Sequence, residues 1–253
     1  MEEIRRMKKP CPSRVMTHHA RETSPSLVSA ALAASERLLA ETLTTRLLCM
    51  TVTQAERLLS LVGRDTCPTA TSVVRKLERR GVLVSGSFAV RLTDPTSRPL
   101  AAWRPSQRLP DFGAVLHAAK ARRERQLVTA QFIATTLAGA NLVGGEPGRL
   151  PPSHQTTHDA QLADVYLWML GALPTRAASW RSETVLAKEQ IKRQTMPRNW
   201  RQRRAVLRGS LPDAAVTDGN TQTAIELVGE YTRDKLMKFH GTCETNGWGY
   251  ELW

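Results

Sequence analysis

The stretch that decides the fold of the second half of this chain runs from Leu211 to His240 and reads LPDAAVTDGNTQTAIELVGEYTRDKLMKFH. Asp213 follows a proline and precedes a short apolar run, and Glu226 lies in a second apolar run. Between the two runs, Asp218-Gly219-Asn220 is a strong turn signal, because these residue types adopt the backbone angles of tight hairpins. Two neighbouring strands are therefore predicted, with Asp213 and Glu226 at facing ends.

Two carboxylates at facing strand ends are suited to bind a divalent cation. Mg²⁺ takes oxygen ligands, usually one or two carboxylates completed by waters and phosphate oxygens. Such a cation activates water for phosphodiester hydrolysis and neutralises charge on the phosphate. Asp213 and Glu226 are therefore predicted to be catalytic ligands of Mg²⁺ or Mn²⁺, with Glu183 or Glu230 as a third acid. The alternative is that both acids are structural residues at the ends of their strands.

The position two residues after the second acid is where a lysine is expected to orient the water or stabilise the transition state. Val228 stands there instead. Lys235, on the predicted helix over 231–239, is the hypothetical catalytic replacement. Tyr231 is the one tyrosine considered as a covalent nucleophile, and a structural role is favoured for it. His154 and His158, four residues apart, form a weak metal-site pattern.

The net charge favours a polyanionic partner. The chain has 253 residues and a formal charge of +13, and a positive field of this size attracts nucleic acid. From residue 185 to residue 209 there are eight basic residues and one acid, Glu189. A solvated basic surface is the alternative interpretation. The residues predicted to contact DNA in this run are Lys192, Arg193, Arg198, Trp200, Arg201, Arg203 and Arg204.

The first third of the chain shows the order helix, helix, basic helix, glycine and β-hairpin, which predicts a winged helix-turn-helix over residues 26–93. The basic helix over 72–80 is expected to end at Gly81. Two short strands, 82–84 and 88–92, are predicted around a turn at 85–87. A winged helix that contacts protein is the alternative. The residues predicted to enter the major groove are Thr69, Thr71, Ser72, Arg75, Lys76 and Arg79.

The rest of the chain divides by composition. Residues 1–25, rich in basic residues, Pro and Ser, are predicted to be a flexible arm. Residues 94–150 are predicted to be a proline-rich linker followed by a helix over 114–143. Residues 151–253 show the order α-β-β-β-α-β, which predicts a restriction-endonuclease-like, or PD-(D/E)XK-like, α/β domain. Its predicted elements are a helix at 158–170, strands at 179–185, 212–216 and 223–228, a helix at 231–239 and a strand at 248–253.

Composition also excludes several classes of protein. The chain is 41% hydrophobic and 23% charged, as globular proteins are. No apolar run approaches the length of a membrane helix, and the N-terminus does not have the pattern of a secretory signal. The four cysteines form no Cys-x-x-Cys pair, so a reducing cytoplasm is expected. No GxxxxGK(S/T) loop is present, which argues against an ATP-driven function.

Several motifs together resemble the replication-relaxation proteins: His158…Leu162…Asp164-Val165, Trp180-x-x-Glu183, Pro212-Asp213-Ala214 and the run from Ile225 to His240. These plasmid- and element-borne proteins pair a winged helix with an endonuclease-like domain, and some are similar to plasmid mobilization relaxases of the MobC kind. The resemblance covers residues 35–253. It implies binding of a double-stranded, origin-like DNA site and its nicking or relaxation, with Glu183, Asp213 and Glu226 as the matching acids. Val228 departs from the pattern.

Three functions remain open from the sequence. The first is an origin-binding protein with a metal-dependent nickase site. The second is a catalytically inactive initiator or regulator that uses a nuclease-like fold as a platform. The third is an assembly subunit that binds other relaxosome or replication proteins. Whether the chain forms a homodimer is also left open.

Overall fold

The computed structural model describes residues 32–62, 69–92, 98–193 and 211–253. Over these ranges the chain is an α+β protein with two β-sheets. None of the helices in these ranges combines the length and hydropathy needed to cross a membrane. The elements are α1 (Ala34–Thr45), β1 (Met50–Thr51), α2 (Val52–Val62), α3 (Ala70–Arg79), β2 (Leu83–Val90), β3 (Ala101–Trp103), α4 (Phe112–Arg123), β4 (Val128–Thr135), α5 (Leu137–Val143), α6 (Thr156–Ala172), α7 (Pro174–Ala178), β5 (Arg181–Ser182), α8 (Glu183–Arg193), β6 (Ala214–Asp218), β7 (Thr221–Glu226), α9 (Arg233–Thr245) and β8 (Gly249–Leu252).

Helix α3, Ala70–Arg79, begins two residues before the predicted helix over 72–80 and stops before Gly81, as predicted. The Thr69 side chain accepts a hydrogen bond from the Ser72 N–H and so satisfies a free donor of the first turn. Gly81 has a φ of 68°, a left-handed conformation that glycine adopts without steric cost. The apolar face of the helix, formed by Val73, Val74 and Leu77, is buried. Its basic face is thereby left at the surface.

The predicted hairpin at 82–92 is wrong, because β2 is one continuous strand. Its partner is β4, which pairs antiparallel with it from Leu83↔Thr135 to Val90↔Val128. Gly86 lies inside the strand, where a Cβ would come within 2.9 Å of the Phe88 ring. The glycine therefore leaves room for the Phe88 ring within the strand and does not mark a turn.

The predicted helix over 114–143 is also wrong in its middle. The chain forms α4, then β4, then α5 across this region. β4 lies between β1 and β2 in the three-stranded antiparallel sheet β1-β4-β2. Phe132 and Ile133 are completely buried in it. A run of buried apolar residues this short fits a strand or a helix equally well, so its periodicity could not distinguish them.

The segment predicted as a linker, 94–113, contributes to the second sheet. β3 pairs antiparallel with β8 at the edge of the five-stranded sheet β3-β8-β7-β6-β5. Trp103 is buried and stacks on Tyr250 with ring centroids 5.3 Å apart. Part of the connection between β2 and β4, namely β3, therefore belongs to the second sheet.

The predicted strand at 179–185 is shorter than expected. β5 contains only Arg181 and Ser182, and Glu183 begins helix α8. Trp180 accounts for the apolar signal, since it is fully buried and its indole N–H donates to the Arg46 carbonyl at 3.0 Å. The hairpin across 218–220 is confirmed, because β6 ends at Asp218 and β7 begins at Thr221.

One apolar core connects the two sheets. It contains Leu39 and Leu43 of α1, Ala163 of α6, Val216 of β6 and Ile225 of β7. Helix α6 packs against α2 and β2 on one side and against α7 on the other. The core therefore continues across the predicted boundaries at residues 93 and 150, and the division into domains stays a prediction.

A buried acid, Glu36, joins α1 to α3. Only 3% of it is exposed, and its carboxylate contacts Lys76 Nζ at 2.5 Å and Arg80 Nη1 at 2.9 Å. It also accepts a hydrogen bond from the Ala33 N–H at the start of α1. Burial acts to raise the pKa of Glu36, but these hydrogen bonds and positive charges outweigh it and lower the pKa.

We expect Glu36→Gln to destabilise the fold by about 2–4 kcal/mol, because it leaves buried positive charge without its carboxylate. Urea denaturation measures the change. Glu41→Gln is the matched control on the same helix, since Glu41 forms an exposed pair with Arg37 that contributes under about 1 kcal/mol. Equal losses in the two variants would show that the Glu36 contacts do not hold α3.

Candidate functional site

The β6–β7 hairpin brings Asp213 and Glu226 to the same end of the second sheet. Ala214 pairs with Ile225, so the two acids lie one position beyond the last ladder pair, on opposite strands. Asp213 Oδ2 accepts a hydrogen bond of 2.8 Å from the Leu227 N–H. Gly219, with a φ of 57°, makes the turn that fixes this register. The predicted pairing of the two acids is therefore present in the structure.

Glu226 is a buried acid, and one of its two carboxylate oxygens has no partner in the part of the chain that the structure describes. The residue is 6% exposed, and its Oε1 accepts a hydrogen bond of 2.5 Å from the Tyr231 hydroxyl. Among the described residues its Oε2 has no hydrogen-bond partner. Burial, followed by the negative charge of Asp213, raises the pKa of Glu226 to about 8. An unpartnered carboxylate oxygen beside a second acid is a site that a cation would stabilise.

Lys235 reaches this site through Tyr231. Its Nζ lies 3.3 Å from the centroid of the Tyr231 ring, whose hydroxyl contacts Glu226. The positive charge of Lys235 acts to lower the pKa of Glu226. Burial and the charge of Glu226 raise the pKa of Tyr231, so the phenol stays protonated, which argues against Tyr231 as a nucleophile. Val228 is buried in the apolar cluster of the second sheet and cannot take the role of a lysine.

His158, in the first turn of α6, contacts Asp213. Its Nε2 is 3.1 Å from Asp213 Oδ1, and its Nδ1 is 3.1 Å from Asp159 Oδ1. Burial acts to lower the pKa of His158, but hydrogen bonds to Asp159 and Asp213 outweigh it and raise the pKa to about 10. The sequence indicated His158 only in a weak metal pattern with His154 and in the resemblance. Its contact with Asp213 depends on how α6 packs in the fold, which no local sequence pattern predicts.

Glu183 belongs to the same surroundings. The first N–H of α8, that of Glu183, donates to the Asp213 carbonyl at 3.1 Å. Glu183, Asp213 and His158 all line a cavity of about 340 Å³. Glu183 is exposed as a whole residue, but desolvation of its carboxyl and the nearby charge of Asp213 raise its pKa. Besides burial, the charge of Asp213 therefore raises the pKa of both other predicted acids, Glu183 and Glu226.

A metal would have few protein ligands here. Within the described ranges, no group of three or more His, Cys, Asp or Glu side chains is arranged to hold a metal ion. Mg²⁺ usually keeps several waters and binds one or two carboxylates plus phosphate oxygens. Asp213 and the free Oε2 of Glu226 are chemically suited to that role. Both oxygens of Asp213, however, already have partners in His158 and the Leu227 N–H.

The second predicted set of functional residues lies on α3. All six of the predicted groove-contacting residues are exposed. Lys76 is half-exposed and paired with Glu36, so its charge is partly neutralised. Arg75 and Arg79 are both exposed, and Arg79 Nε donates a hydrogen bond of 3.4 Å to the Arg75 carbonyl. The six residues are Thr69, Thr71, Ser72, Arg75, Lys76 and Arg79.

The basic run after residue 185 is only partly described. Helix α8 contains Lys192 and Arg193 in its last turn. Lys188, earlier in the helix, forms an ion pair with Glu146. The other predicted contacts of this run lie outside the described residues, namely Arg198, Trp200, Arg201, Arg203 and Arg204.

Comparison of the chain with protein-family models, with curated protein sequences and with solved structures gives no match. The resemblance to replication-relaxation proteins therefore stays a prediction that rests on the motifs themselves.

Proposed function

We propose that this chain binds duplex DNA at an origin-like site of a plasmid or mobile element and nicks it with a Mg²⁺- or Mn²⁺-dependent centre. The observation that carries the proposal is the pairing of Asp213 with Glu226 at one end of the β6–β7 hairpin. Asp213 and Glu226 are the proposed metal ligands. The metal, when bound, supplies an activated water and neutralises charge on the phosphate.

The residues around the two acids support this assignment. Tyr231 holds Glu226 by a hydrogen bond, and Lys235 lies against the Tyr231 ring, so a positive charge is present near the site although Val228 is not a lysine. His158 and the Leu227 N–H fix the orientation of Asp213. These contacts orient the two carboxylates before a cation binds.

The order of elements in the first third supports DNA binding. A helix-strand-helix-helix-strand order, followed by β4 in the sheet β1-β4-β2, is compatible with a winged helix, and we assign α3 as its recognition helix. The exposed arginines of α3 and the net charge of +13 favour phosphate contacts. The long β2–β4 connection takes the place of a short wing.

A nicking assay tests the catalytic part of the proposal. Supercoiled plasmid that carries an origin-like region is incubated with the protein in Mg²⁺, Mn²⁺ or EDTA, and open circles are counted on a gel. We expect open circles in the presence of either metal and none in EDTA. If the plasmid stays supercoiled in both metals while the protein binds the duplex tightly, the nickase function is excluded and a catalytically inactive DNA-binding protein is supported.

The alternative is a catalytically inactive DNA-binding initiator, regulator or relaxosome subunit. Three observations favour it: Val228 is a core residue, both oxygens of Asp213 already have partners, and Glu226 is almost completely buried. In this reading, the acids hold the hairpin and α6 together. Both functions use the same DNA-binding surface, and only the plasmid nicking assay distinguishes them.

The DNA-binding part makes a separate prediction for Arg75 and Arg79. We expect the double variant Arg75→Ala/Arg79→Ala to weaken duplex binding and to reduce the slope of log K against log salt by about 1.8, since each lost phosphate contact removes about 0.9. Fluorescence anisotropy with a labelled duplex measures it. Arg37→Ala/Arg108→Ala removes the same charge from exposed positions outside α3. An equal effect of both double variants would exclude α3 as the recognition helix.

A further inference from the structure

Two cavities meet at the start of α6. The first, about 340 Å³, is lined by the connection after α1, by Arg149 and by the residues around Asp213 and Glu183. The second, about 780 Å³, is lined by the end of β2, the end of α4 and the segment Leu227–Glu230 that follows β7. His154 and His158 line both cavities. The two recesses are therefore neighbours, with the proposed metal ligand Asp213 in the wall of the first.

Basic side chains line both cavities. Arg46 and Arg149 line the first, and Arg91 and Lys120 line the second. The acids of the first cavity are Asp159, Glu183 and Asp213, and those of the second are Glu124 and Glu230. His158 contacts both Asp159 and Asp213, and so offsets part of the negative charge. Each cavity therefore has two basic side chains in its wall that can contact a phosphate, and His154 and His158 lie in the walls of both cavities.

The size of the cavities restricts what they hold. Recesses of 300–1,000 Å³ enclose ligands of small-molecule size. Each therefore accommodates one or two nucleotides of a single strand and not a base-paired duplex. None of the described residues that line them is Phe, Tyr or Trp, so bases have no stacking platform there. A strand held by phosphates alone is bound with little sequence preference.

We propose that the two cavities form a track for the phosphodiester backbone of one unpaired DNA strand, which passes from Arg149 across His158 to Lys120. This rests on the proposed function, because the track leads the strand past Asp213. The wall of the second cavity contains none of the proposed metal ligands. In this proposal, the second cavity holds the part of the strand that lies on one side of the cleaved bond. Recognition of the duplex by α3 and holding of the unpaired strand are then separate binding events.

Lys120 and Arg149 test the track, because both are exposed and each lines a different cavity. Binding of a labelled oligothymidylate is measured by anisotropy across a salt series in EDTA, for Lys120→Gln, Arg149→Gln and the double variant. We expect each single variant to reduce the slope of log K against log salt by about 0.7 and the double variant by about 1.4, as lost single-strand phosphate contacts do. Arg37→Gln/Arg108→Gln, which removes two exposed charges outside both cavities, is the control.

Duplex binding by the same variants, measured on a labelled duplex, is expected to match that of the wild type. Unchanged slopes in the double variant, or slopes no different from the control, overturn the track. So does an effect of only one single variant, since the strand must then stop within one cavity. Equal losses for duplex and oligothymidylate overturn the assignment to a single strand. The metal-dependent plasmid assay is independent of these results. If the salt series shows the track but plasmid is not nicked, the single-strand track is supported and the nickase function is excluded. If plasmid is nicked but the salt series shows no track, the nickase function is supported and the track is excluded.

Discussion

Asp213→Asn is expected to reduce metal-dependent plasmid nicking on the order of 10³-fold. A bound metal stabilises the transition state by several kcal/mol, and each 1.4 kcal/mol is a factor of ten in rate. The amide keeps the shape of the side chain and an oxygen that can accept from the Leu227 N–H. It removes the negative charge that a divalent cation and His158 both require. Initial rates of open-circle formation in saturating Mn²⁺ measure the effect.

The interpretation of Asp213→Asn depends on keeping the fold and the DNA affinity. Thermal unfolding and duplex anisotropy are therefore measured on the same preparation. The changes in melting temperature and in duplex affinity are expected to be small compared with the loss of nicking rate. Asp234→Asn is the matched control, since this acid is exposed in the first turn of α9 and lies outside the proposed site. A nicking rate for Asp213→Asn within threefold of the control would contradict a catalytic role for the pair of acids.

The hairpin that carries this site was predictable from the sequence, because its signals are local. Asp218, Gly219 and Asn220 specify the turn, and the apolar runs on both sides specify the strands. The C-terminal end of α3 was predictable for the same reason, with Gly81 as the stop, whereas the sequence did not single out Thr69 as the N-terminal cap. Where neighbours in the chain decide a structure, the pattern of residues is sufficient.

The partners of β2 and of Asp213 were not predictable in this way. β2 pairs with β4, about 40 residues further on, and the turn-like residues 85–87 lie within the strand because Gly86 admits the Phe88 ring. His158 meets Asp213 only because α6 shares one apolar core with β6 and β7. Both depend on contacts between distant segments. Propensity and spacing carry no information about such contacts.

Glu226→Gln is expected to remove a pH dependence of stability that the wild type shows between pH 5 and 6.5. The pKa of Glu226 is raised from 4.5 to about 8 in the fold, so its contribution to stability is fully present below pH 4.5 and is lost as pH rises through 8. His158, with a pKa raised to about 10, contributes in the same direction but only above pH 6.5. The pKa of Glu183 is also raised, so Glu183 contributes in the lower window too, and the difference between the wild type and Glu226→Gln in that window reports Glu226. Urea denaturation at half-unit pH steps measures it, and Glu230→Gln, at an exposed acid, serves as the control.

Above pH 8, Glu226→Gln is expected to be more stable than the wild type by roughly 3 kcal/mol, because the amide is not ionised in its buried position. The same titration links stability to the proposed function. A cation bound between Asp213 and Glu226 favours the ionised carboxylate, so saturating Mn²⁺ should flatten the wild-type profile and raise its stability most at high pH. Glu226→Gln should gain much less from Mn²⁺. A wild-type profile that Mn²⁺ leaves unchanged would show that Glu226 does not bind the metal, and its burial would then serve only to hold Tyr231 and the end of β7 in place.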